Sequence, residues 1–73
     1  MNVQVKSSTD NQFGRNADIE VLENGVKTTI FFKTGHLRTL MVWAVVGRAS
    51  DAALEVAKEC VAAHYGIDRS KVL

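Results

Sequence analysis

Asn24-Gly25 is the feature that most restricts what this chain can become. It lies between two runs, Ala17 to Glu23 and Val26 to Phe32, in which apolar and polar residues alternate. A two-residue type I′ turn needs positive φ at both central positions, and Asn-Gly tolerates that best. The turn predicts a register with Glu23 opposite Val26, Val21 opposite Thr28 and Ile19 opposite Ile30. Side chains alternate across a strand. One face therefore collects Ile19, Val21, Val26, Thr28, Ile30 and Phe32. The other collects Asp18, Glu20, Leu22, Lys27, Thr29 and Phe31.

A second turn is expected around Thr34-Gly35. In Leu37 to Val46, Leu37, Leu40, Met41, Ala44 and Val45 fit helical spacing. Yet Thr39, Val42, Trp43, Val45 and Val46 are β-branched or aromatic, and Gly35 and Gly47 bracket a strand-length segment, so a strand is preferred. Paired back through Thr34-Gly35, Leu37, Met41, Trp43 and Val45 join the Ile30 face. His36, Arg38, Leu40, Val42 and Ala44 join the Phe31 face. Upstream, Val3 and Val5 alternate with polar residues, which predicts a short edge strand over Met1 to Lys6. Ser7 to Asn16 is rich in Ser, Asp, Asn and Gly and reads as a loop, with Phe13 the odd residue in it.

Ser50 to Tyr65 reads as a helix. Ser50 can cap the free N–H groups, Asp51 suits the positive end of the dipole, and Gly66 can take the position after the last turn. Leu54, Ala57, Val61 and His64 form a stripe, widened by Ala53, Val56 and Cys60. The predicted class is α+β: a three- or four-stranded antiparallel meander with one C-terminal helix packed on one face. Residues 1–73 form one small domain, divided into an edge strand and loop (1–16), the meander (17–47), the helix (50–65) and a tail (66–73).

A 73-residue chain has a marginal core, and such chains usually lean on disulfides, a metal or oligomerisation. Cys60 is the only cysteine, so no bridge forms within the chain, and a homodimer is expected. A lone cysteine also fits a reducing compartment, which makes the cytoplasm the expected location. Met1 to Thr9 lacks the apolar stretch of a signal peptide, and the longest apolar run, Leu40 to Val46, is too short to span a bilayer, so no membrane role is expected. The net charge of +1 argues against a strongly acidic DNA mimic and against a bulk nucleic-acid binder.

The sheet face away from the helix supplies the candidate site. Leu22, Phe31, Leu40 and Val42 beside Lys27, Lys33, His36 and Arg38 form an amphipathic surface, of the kind that marks an interface with a protein partner or a second copy. Lys27, Lys33, His36, Arg38 and Arg48 around Phe31 also allow nucleic-acid binding. That reading comes second, because Asp18 and Glu20 share the face, one aromatic stands on it, and no RRM-like motif is present.

Cys60 and His64 are one helical turn apart and form half of a zinc site, to which His36 is a conceivable third ligand. Both fall on the apolar stripe, and core roles explain them better. Cys60 has no group to lower its pKa as a nucleophile, and Glu55 and Glu59 read as solvated. No catalytic residue, metal or cofactor is expected. The expected function is a non-catalytic protein-interaction module, a small regulator or inhibitor. In size and layout the chain is similar to small phage-type inhibitors of bacterial defence systems, with no shared motif behind the likeness.

Overall fold

The turn at Asn24-Gly25 forms as its chemistry demands, with φ of 51° at Asn24 and 78° at Gly25. The structure, a computed structural model, describes residues Met1 to Leu73. Four strands, β1 (Asn2–Asn11), β2 (Gly14–Glu23), β3 (Val26–Thr34) and β4 (Leu40–Val46), precede one helix, α1 (Asp51–Tyr65). The strands form one antiparallel sheet in the order β1-β2-β3-β4. The α+β meander is therefore the fold, in its four-stranded form. The β2–β3 register is the expected one, with Glu23 opposite Val26 and Ile19 opposite Ile30.

Two expectations need correction. Ser7 to Asn16 is not a loop. Most of it is strand, because β1 runs on to Asn11 and pairs back with β2 through a tight turn at Gln12 and Phe13. Beyond a bulge between Val5 and Ser7 most of this hairpin is solvated, so it needs no apolar alternation to pair. Phe13 stands 87% exposed at the tip. Gly14 is required there, since a Cβ would lie 2.9 Å from Thr34 Oγ1 and its φ is +128°.

The second correction concerns the link from β3 to β4. No two-residue turn forms at Thr34-Gly35. Gly35 to Thr39 make a longer connection, with a 3₁₀ turn over His36–Arg38 in which Leu37 and Arg38 have φ of 59° and 61°. Leu37, His36 and Arg38 therefore leave the strand, which begins at Leu40.

The helix starts where expected. Ser50 Oγ accepts from the Ala53 N–H at 3.0 Å and donates to the Glu23 carboxylate at 2.9 Å, tying α1 to the end of β2. The helix ends at Gly66, whose N–H and that of Ile67 donate to the Ala63 and Ala62 carbonyls. Ala53, Ala57, Val61 and Ala62 bury the inner stripe. These small residues let α1 settle closely on β1 and β2. The core beneath is Ala17, Ile19, Val21, Ile30, Phe32 and Leu40. The tail then forms a 3₁₀ turn over Arg69–Lys71 and lays Val72 beside Leu40. No helix is long and apolar enough to cross a membrane.

Candidate interaction surface

Register decides which side chains reach the open face. Thr34 pairs with Leu40, Lys33 with Met41 and Phe32 with Val42. A bulge follows, and Phe31 then pairs with Ala44 and Ile30 with Val45. Paired residues share a face. Leu40 and Val42 therefore turn toward the core, where Leu40 is only 2% exposed and Val42 packs against the buried cluster. Met41 turns the other way, and so does Trp43, the extra residue of the bulge. This reverses the expected placement of all four. Val45 stays on the helix side, as expected, although it is not covered there.

Of the expected site residues, Leu22, Lys27, Phe31 and Lys33 do stand on the open face. His36 and Arg38 lie in the connection at its end, exposed. Leu40 and Val42 belong to the core side. Met41 and Trp43 are the members that sequence reasoning missed. The connection after Thr34 is longer than the expected two-residue turn, and that turns Leu40 to Trp43 to the opposite faces, while the bulge restores the expected facing of Ala44 and Val45.

The open face divides into two halves. On β1 and β2 the carboxylates are already engaged. Glu20 accepts from Gln4 Nε2 at 3.1 Å and lies 3.8 Å from Lys6 Nζ and 3.9 Å from Lys27 Nζ. Asp18 accepts from Ser7 Oγ at 2.8 Å. On β3 and β4 the surface is aromatic and apolar. Trp43 is 57% exposed and meets Phe31 edge to face, with ring centroids 6.1 Å apart. Lys33 Nζ lies 5.0 Å from the Trp43 centroid, a cation over a ring face. Met41 and Val46 extend this patch along β4.

Charge follows the same division. From Asn24 to Ser50 the chain carries Lys27, Lys33, Arg38 and Arg48 and not one carboxylate. That segment, which is β3, the connection and β4, has a net charge of +4, and the rest of the chain has −3. The overall +1 conceals the partition. It was legible in the sequence as spacing between acids, Glu23 to Asp51.

Cys60 and His64, the pair weighed for metal or nucleophilic chemistry, lie on α1, away from the open face. No three His, Cys, Asp or Glu residues gather where they could hold a metal ion. Burial pushes the Cys60 thiol up, away from the thiolate form. His64 Nε2 sits 3.0 Å from Ser8 Oγ, and Tyr65 Oη lies 2.6 Å from the Asn16 carbonyl and 3.1 Å from that of Thr9. These contacts dock the helix end on the β1–β2 hairpin. An open groove of about 570 Å³ runs between that hairpin and the β3–β4 connection, lined by Phe13, Arg15 and Arg38 among mainly polar groups. Arg15 is engaged there, 3.4 Å from Asp10 and stacked over Tyr65.

Comparison with known proteins finds no matching family model, no matching curated protein and no matching solved structure.

Proposed function

We propose that this chain is a non-catalytic protein-interaction module, a regulator or inhibitor that acts by docking on a protein partner through β3 and β4. One observation carries the reading. The chain's single tryptophan stands on the outer face of the sheet, more than half exposed, against Phe31 and between Met41 and Val46. Tryptophan is the residue type most enriched at binding hot spots, and a contiguous apolar patch beside a cation is what interfaces present. The cytoplasm is the proposed location, because Cys60 is a free thiol in a chain that uses no disulfide.

Nucleic acid is the competing partner, and the arrangement favours it less. A base stacking on the face of Trp43 that Lys33 covers has to displace the ammonium from the ring.

The test is a photoreactive phenylalanine at position 43, compared with the same group at Glu59 on the outer side of the helix. In cells making the protein, a single protein species cross-linked from position 43 and not from position 59 is expected. Cross-links to nucleic acid alone, or none at position 43, overturn the reading.

A further inference from the structure

The free edge of β4 narrows the partner's chemistry. β4 is hydrogen-bonded to β3 on one side only. On the other side the tail reaches Leu40 alone, where the Leu73 N–H donates to the Leu40 carbonyl at 2.8 Å. A residue in an antiparallel strand sends its N–H and C=O to the same side, and sides alternate along the chain. Leu40 points its backbone groups outward, so Val42, two residues on, does so too. Nothing in the chain meets those of Val42.

Exposed edges are normally blunted by Lys, Pro, a bulge or a covering element. β4 reads Leu-Met-Val-Trp-Ala-Val-Val and contains neither Lys nor Pro. Its one irregularity is the bulge at Trp43. Both faces of the strand are apolar as well, with Met41, Trp43 and Val46 on one side and Val45 on the other. Such an edge is a template for another strand.

Charge selects among the strands it can take. Arg38 precedes β4 by two residues and Arg48 follows it by two, and neither forms an ion pair. A second copy paired antiparallel through the free groups of Val42 would join two segments of +4 charge. Like charges across an interface oppose association. A nucleic acid would satisfy the cations but not the alternating donors and acceptors of the edge.

We infer that the free edge of β4 receives an extended segment of another protein, apolar opposite the strand's middle and bearing carboxylates toward its ends. This rests on the proposed protein-binding role and names the partner's chemistry.

Selection from a displayed library of random decapeptides on the intact protein tests it. The expected peptides alternate apolar residues at their centre and carry Asp or Glu near their ends. Their binding should weaken about tenfold in Arg38→Glu/Arg48→Glu, and also fall as salt is raised from about 50 mM to about 300 mM. On binding, hydrogen exchange at the Val42 amide should slow while exchange in α1 is unchanged. Selected peptides of basic or neutral character overturn the acidic assignment. Peptides that lose affinity in Trp43→Ala yet leave Val42 exchange unchanged overturn strand addition and leave the docking role standing. Protection of Val42 that grows with protein concentration, without peptide, assigns the edge to a second copy instead. A library that yields no binder also overturns the inference, and the cross-link at position 43 then decides the broader reading by itself. Tight, salt-sensitive binding of an oligothymidylate with no peptide selected overturns both.

Discussion

The Lys33 ammonium sits 5.0 Å from the centre of the Trp43 ring, on the solvent side of the sheet. A cation over an indole face is an attractive contact. It also fixes the position of a side chain that composition alone would send to the core.

Leu40 and Trp43 should therefore respond oppositely to truncation. Leu40→Ala empties a buried site and should cost about 2–5 kcal/mol. Trp43→Ala removes an exposed ring with two weak neighbours and should cost about 1 kcal/mol or less. Urea unfolding followed by circular dichroism measures both. Equal, large losses would return Trp43 to the core and remove the proposed surface.

Tyr65→Phe should loosen the far hairpin. The hydroxyl is the polar link from α1 to the Thr9 and Asn16 carbonyls. Its loss should cost about 1 kcal/mol and speed amide exchange in the β1–β2 tip more than at Ile19 or Ile30. Unchanged exchange at the tip would show that the contact holds nothing in place.

Ser50→Ala should destabilise by about 1 kcal/mol, the usual loss for a helix cap. Here the same hydroxyl also donates to Glu23. Glu23→Gln keeps an acceptor and should cost less than Ser50→Ala in the same melt. The reverse order would mean that the Glu23 carboxylate, rather than the cap, anchors the helix.

Acid should weaken the tail's attachment. Arg69 grips Glu55 with two bonds of 2.7 Å and holds its carboxyl below the usual 4.5. A carboxylate with a depressed folded pKa stabilises the fold above its unfolded value, and that support is lost as pH falls through the folded one. The loss should begin below about pH 4.5, and it should be small because the pair is exposed. Glu55→Gln should flatten this part of the thermal stability profile. A variant that tracks the parent through acid would remove the pair from the account.

The legible parts of the fold are those decided by neighbouring residues. Asn24-Gly25 dictates its turn and hence the β2–β3 register, and Ser50 and Gly66 mark the helix ends by local hydrogen bonding. The illegible parts depend on counting across an irregular connection. The expected short turn at Thr34-Gly35 placed Leu40 outside and Trp43 inside. The longer Gly35–Thr39 link and the bulge at Trp43 change the parity twice, and each one-residue change turns the following side chains to the other face. Leu22, Lys27, Phe31 and Lys33 escaped that error because they precede the link. Ser7 to Asn11 misled for another reason. Away from the core a strand can be polar throughout, and no alternation marks it.

The separation of cations from carboxylates has a consequence that operates before any contact forms. A molecule with +4 on one segment and −3 on the remainder is an electric dipole. A negatively charged body drifting toward it exerts a torque that turns β3 and β4 forward, so a larger share of collisions arrive correctly oriented. Steering of this kind raises the association rate and fades with ionic strength, while dissociation stays nearly constant.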